Sequence, residues 1–134
     1  MRYMLLVYTK EDELARTSQD EMAKIRDGHW AVMDETQAKG IFQGAEPLAP
    51  TATATTVRRQ NGKIIVTDGP FAETKEQLAG YYILDCKDLD EAVAYAAKIP
   101  AGCGGLTGCV EIRLLRELPA RTGPVIAAEA QVSA

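Results

Sequence analysis

His29 is the only histidine among the 134 residues, so it is the one side chain whose ordinary titration falls near neutral pH. Asp68 is the acidic residue most suggestive of a partner for it. It opens an Asp68-Gly69-Pro70-Phe71 bend at the end of an extended run, and loops held by a rigid sheet often carry functional groups. A carboxylate on one ring nitrogen would fix the tautomer and leave the other nitrogen free as a base. Each residue also has a plainer reading. His29 is equally a hydrogen-bonded core histidine, and an aspartate before glycine commonly opens a turn by bonding its own backbone.

Other chemistry finds less support. Glu73, Lys75 and Glu76 follow the bend and could steer an anion, although such a run usually forms a solvated loop. Arg58 and Arg59 occupy adjacent strand positions and so face opposite ways. The glycines at 102, 104, 105 and 108 precede a strand and lack the Lys-Ser or Lys-Thr pair of a phosphate loop. Cys86, Cys103 and Cys109 contain no CxxC pair, so neither structural zinc nor a disulfide framework is expected. Nothing calls for a cofactor or a metal.

The composition bounds the partners. Fifteen basic against 19 acidic residues give a net charge of −4, which removes the electrostatic drive toward nucleic acid or anionic lipid. With 46% hydrophobic residues, the chain can bury a core as one domain without staples. The odd cysteine count points to free thiols and a reducing cytoplasm. The apolar stretch from Met4 to Tyr8, closed by Lys10, Glu11, Asp12 and Glu13, is far shorter than the roughly 20 residues of a membrane helix and reads as a strand.

The elements that must position His29 and Asp68 are legible in order. Residues 2–8 form a strand whose two alternating sets are both apolar. Ser18 and Glu21 make a capping box for a helix running to Lys39 and stopped by Gly40, with Met22, Ile25, His29, Met33 and Thr36 on its inward stripe. Trp30 stands about 100° off that stripe, placed either to pack at a dimer interface or to cap a pocket. Ile41 to Leu48 and Thr53 to Arg59 read as strands, and Asn61-Gly62 turns the second of these into Lys63 to Thr67. Strand Leu78 to Asp85 follows. Asp88 and Glu91 cap a second helix that ends at Pro100, and Val110 to Leu115 is the last strand.

This β-α-β-hairpin-β-α-β order predicts an α+β fold in the ferredoxin-like arrangement, with an antiparallel sheet and both helices on one face. The domain is expected over residues 1–118. The Ala-rich tail, 119–134, is expected to be loose or to lie on a partner. Two helices cover one sheet face, yet the first strand and Tyr81 to Leu84 are apolar on both. A second copy of the chain is the simplest cover, giving a homodimer.

The run VTDGPFAETKEQLAGYYIL at residues 66–84 resembles the signature of the YCII-related family, in its DGPF-domain branch. His29 on the first long helix and VEIR at 110–113 fit the same pattern. Ala79-Gly80-Tyr81 stands where Gly-Gly-Tyr or Gly-Gly-Phe is usual, and Leu114 where proline is frequent. The resemblance implies a dimeric α/β barrel with His29 and Asp68 as a proposed catalytic pair. It also implies a setting near extracytoplasmic-function sigma factors for some members. Phe71, Lys75 and Trp30 are the residues expected to touch a ligand around that pair.

Three functions follow. The first is a cofactor-free enzyme moving a proton on a small polar organic molecule by elimination, isomerisation or hydrolysis, with His29 as base and Asp68 orienting it. The second is a sensor that binds the same ligand without chemistry, and the third is an interaction scaffold built on the two-sided sheet.

Overall fold

The computed structural model describes residues 1–101 and 106–123. Cys103, three glycines of the Gly-rich loop, and the tail beyond residue 123 lie outside them. Four strands form one antiparallel sheet in the order β2-β5-β1-β6: β1 is Arg2–Thr9, β2 Phe42–Pro47, β5 Gln77–Asp85 and β6 Gly108–Leu114. Among the described residues the sheet is open, with β2 and β6 at its edges, and no barrel closes. Strands β3 (Thr55–Gln60) and β4 (Lys63–Asp68) form a separate two-stranded sheet. Its turn matches the sequence signal, with Asn61 and Gly62 both at positive φ as a primed hairpin turn requires.

Helix α2, Gln19–Ala38, starts where the sequence places it, and the Ser18 hydroxyl accepts from the Glu21 N–H at 3.1 Å. Helix α3, Leu89–Ala96, is capped in the same way by Asp88, at 2.9 Å. Such caps satisfy one of the four orphan N–H groups of a helix start and are each worth about 1 kcal/mol.

Alternation on the central strands then fixes the core. Tyr3, Leu5, Val7 and Thr9 of β1 are buried, as are Gly80, Tyr82 and Leu84 of β5. They pack with Val32 of α2 and with Ala92 and Tyr95 of α3 in one cluster, so both helices share this face. Met4, Leu6, Tyr8, Tyr81 and Ile83 point to the other face and are half-buried. In α2 only Val32 and Thr36 are fully buried, both in its second half. The first half stands off the sheet.

A short helix, α1 at Glu11–Ala15, follows β1 where the sequence shows only a charged close to the strand. Its acidic residues have specific partners. The Glu11 carboxylate accepts from the Thr51 N–H and hydroxyl, both at 2.8 Å, and the Glu13 carboxylate accepts from the Thr107 N–H at 2.6 Å and hydroxyl at 2.9 Å. Those bonds hold the Glu13 carboxyl below its ordinary value. Helix α1 thereby ties down the β2–β3 connection and the approach to β6.

Two irregularities shape the sheet beside the helix gap. Val7 pairs with Gly80 but Tyr8 pairs with Leu78, which leaves Ala79 as an extra residue in β5. At Gly80 a Cβ would stand 2.7 Å from the Glu46 carbonyl oxygen of β2. That contact is with backbone, which cannot swing aside.

Gly80→Ala is therefore expected to destabilise the fold by about 1 to 3 kcal/mol, as overpacking does. In a thermal unfolding scan this should lower the midpoint by about 3 °C or more. An unchanged midpoint would show that β2 accommodates the methyl group freely.

Candidate active site

The first half of α2 and the sheet beneath it enclose a cavity of about 420 Å³. Two stripes of α2 reach it. Ile25, His29 and Met33 form the inner stripe, one turn apart, while Met22, Arg26 and Trp30 form an exposed outer one. The sheet contributes Val7, Thr9, Gly80 and Tyr82, and Leu14 of α1 and Leu48 close the sides. A methyl group at Gly28 would meet Pro100 Cγ at 3.2 Å, so glycine lets Pro100 come close to α2 beside the cavity. Most of this surface is hydrocarbon. The residues with polar side chains among its lining are Thr9, Arg26, His29, Glu46, Tyr81 and Tyr82.

His29 Nδ1 lies 2.6 Å from the Tyr82 hydroxyl, and the two rings are nearly parallel at 16° with centroids 5.9 Å apart. The partner of the histidine is thus a neutral phenol, 53 residues away in the chain. Burial sets the protonation states. It pushes the Tyr82 hydroxyl up to about 12 and pushes the His29 imidazole below its ordinary value of 6.5. Desolvation is the sole cause for His29. A carboxylate in contact would have driven it the other way.

At neutral pH both groups are uncharged and share one short hydrogen bond. If the phenol donates, the ring proton sits on Nε2, which is then a donor. If Nδ1–H donates to the phenol oxygen, Nε2 carries a lone pair and is a base. Each tautomer offers Nε2 a definite role, and Tyr82 holds the ring in either.

The other residues expected at the site are distributed differently. Asp68 ends β4 on the separate two-stranded sheet, is exposed, and is not among the residues lining this cavity. The bend it opens has a conformational basis. Gly69 has φ +103°, its N–H donates to the Ala54 carbonyl at 2.7 Å, and its own carbonyl accepts from the Thr56 hydroxyl at 2.8 Å. Phe71 is 74% exposed, and Lys75 is exposed in the loop before β5. Neither lines the cavity. Trp30 does, at its rim, where the Arg26 guanidinium lies 5.1 Å from the ring centroid.

Sequence reasoning missed Tyr82. Tyr82 was readable only as one more apolar strand residue, because nothing in a strand pattern announces which phenol meets which ring. A second hollow of about 420 Å³, lined by Glu35, Lys39, Lys98 and charged residues of α3, is open and salt-bridged. It brings no base or nucleophile with a perturbed environment to an apolar enclosure. Among the described residues no cluster of His, Cys, Asp or Glu is arranged to hold a metal ion.

The YCII-related domain model matches residues 1–118. The chain belongs to the YCII-related family. An uncharacterised protein of Rhizobium meliloti (strain 1021), R00369, is 38% identical over 115 residues, which cover 86% of this chain and 92% of that protein. Among the described residues of this YCII-related chain, no helix is long and apolar enough to cross a membrane.

Because the folded protein lowers the His29 value, the unfolded chain binds more protons between the two midpoints. Stability from this group is complete above about pH 6.5, falls as pH drops below it, and levels off beneath the folded midpoint. An NMR titration of the single histidine should give a midpoint below 6.5, and His29→Gln should flatten that part of the stability-versus-pH curve. A midpoint above 6.5 would place a carboxylate on the ring after all.

Proposed function

We propose that this cavity binds a small organic molecule and that His29 moves a proton to or from it at Nε2, with Tyr82 positioning the ring through Nδ1. The observation that carries the reading is the 2.6 Å His29–Tyr82 contact at the wall of an apolar cavity of about 420 Å³. Proton transfer asks for no bound group beyond a neutral imidazole, and depression of its titration keeps it neutral at physiological pH. The hydrocarbon lining supports a ligand with a mainly apolar body and few polar atoms, rather than the small polar molecule that the sequence alone suggests. Asp68 enters as the residue that opens the bend after β4. The same cavity used without chemistry would be a sensor, and substrate exchange separates the two.

The fold reading extends to a pair. The sheet order β2-β5-β1-β6, with both helices on one face, supports a ferredoxin-like layout. The half-buried apolar residues of the other face support a second copy as its cover, and Val57, Ile64 and Val66 of the separate β3–β4 ribbon are exposed as well. A homodimer in a reducing cytoplasm, with free Cys86 and Cys109, fits these features.

The test of function uses C–H acids in D₂O. With a panel of aromatic and aliphatic ketones and diketones, the protein should accelerate deuterium incorporation by about 10²-fold or more for those that bind, as general bases do. His29→Gln should abolish the effect and Tyr82→Phe should weaken it while leaving binding in place. Binding without exchange would establish the sensor; neither binding nor exchange would end the small-molecule reading. Light scattering should give twice the 14.5 kDa chain mass, and a monomer at micromolar concentration would refute the pairing.

A further inference from the structure

Taking a proton from carbon inside hydrocarbon walls creates a charge that something must offset. The electron pair of the broken C–H bond moves toward an adjacent carbonyl and leaves an enolate oxygen, and an anion is costly away from water. A counter-charge already in place before the step lowers its barrier. His29 and Tyr82 both enter the step neutral. Among the described residues that line the cavity, Arg26 is the only side chain that is cationic at neutral pH.

Arg26 stands where it can serve. It precedes His29 by three residues on α2, about 4.5 Å along the axis and about 60° around it, so the two share one side of the helix. Its guanidinium lies 5.1 Å from the centroid of the Trp30 ring, one turn further on, and His29 stands between Arg26 and Trp30 in height. Arg26 is exposed at the mouth, so an incoming molecule reaches its donors.

The carboxylates nearby do not compete strongly for it. Asp27 Oδ1 is 3.8 Å from Arg26 Nε, beyond hydrogen-bond distance, and both side chains are exposed. Glu46, the acidic residue of the lining, pairs with Tyr81 and by strand phase shares its face of the sheet, opposite Ala45 and Tyr82. Its carboxylate is thus turned from the side on which His29 sits.

We infer that Arg26 is a specificity-determining residue that binds the carboxylate of an α-oxo acid, holding the carbon beside the ketone at His29 Nε2 while an aromatic or aliphatic tail lies on the hydrocarbon of the cavity. This rests on the reading that His29 moves a proton on a molecule in the cavity, and it names the class of that molecule. Carboxylate and ketone are adjacent in such an acid, as Arg26 and His29 are adjacent on the helix. The step is balanced without another reactant. His29 takes the proton from the β carbon, the electron pair becomes the carbon–carbon double bond of the enolate, and the imidazolium, after exchange with solvent, returns a proton to the same carbon. A guanidinium on the carboxylate stands beside the ketone oxygen and offsets its charge as it forms. The chain as a whole carries −4, so a preference for an anion has to come from a local cation.

The test compares benzylpyruvate with benzylacetone, in which a methyl group replaces the carboxylate. Loss of the signal of the methylene between ketone and benzyl group is followed by NMR in D₂O with the full-length protein, and each rate is divided by the spontaneous rate of the same compound. The wild type should accelerate exchange of the oxo acid about tenfold more than that of the ketone, the worth of a charge-assisted hydrogen bond. High salt should shrink that ratio. Arg26→Gln, and Arg26→Met, which keeps a hydrocarbon stem beside Trp30, should each bring it to about one. Arg26→Lys, a charge without the fork, should fall between. A wild-type ratio of one, or a ratio unchanged in Arg26→Gln or Arg26→Met, would overturn the role of Arg26 and, with benzylacetone still exchanging, leave the proton-transfer reading standing. Exchange of neither compound by the wild type would overturn both together.

Discussion

The cavity depends on the antiparallel pairing of β1 with β5. That register places Leu5 beside Tyr82 and Val7 beside Gly80, so a phenol and a bare backbone lie next to each other under the same helix. The phenol reaches up to His29, and the absent side chain at Gly80 lets the β2 backbone come close beside it. Helix α2 completes the arrangement by packing tightly only where Val32 and Thr36 meet the core. Twenty helical residues span about 30 Å, about the length of β5, and the half that does not pack on the core becomes the roof. A shift of one residue in the β1–β5 register would turn Tyr82 to the opposite face and remove the ring's partner.

The electrostatic character of the site follows from that partner. A carboxylate against the imidazole would stabilise its charged form, whereas a phenol held protonated by burial adds no charge and leaves desolvation unopposed. The result is a ring that stays neutral, with a fixed orientation and modest proton affinity. Such a group accepts a proton from an acidified C–H and releases it again readily. In a hydrocarbon enclosure, an ion pair would also have to overcome a desolvation penalty that two neutral groups avoid.

The sequence carried the elements better than their contacts. Both capping boxes, the Asn61-Gly62 turn, the two-sided apolar character of β1 and the inward place of His29 were all legible, because each is written in neighbouring residues at a fixed period. Helix α1 was hidden. Its residues read as a charged strand end, and only Thr51 and Thr107, far along the chain, explain the carboxylates. Tyr82 was hidden for a related reason: a strand pattern gives the face of a side chain, not what hangs above it. The Asp68 bend stood out because its motif is unusual, yet what is unusual there is backbone, with Gly69 in a conformation that other residues rarely adopt.

The extra residue at Ala79 separates two phases of alternation within one strand. On its far side, Gly80, Tyr82 and Leu84 keep step with the core; on its near side, Gln77 and Leu78 follow the loop that descends from the Gly69 turn. Insertions or deletions in that loop can thus be absorbed at the junction without rotating the phenol. The cavity floor is insulated from length changes upstream, so the surface ribbon can be remodelled while Tyr82 stays in register beneath His29.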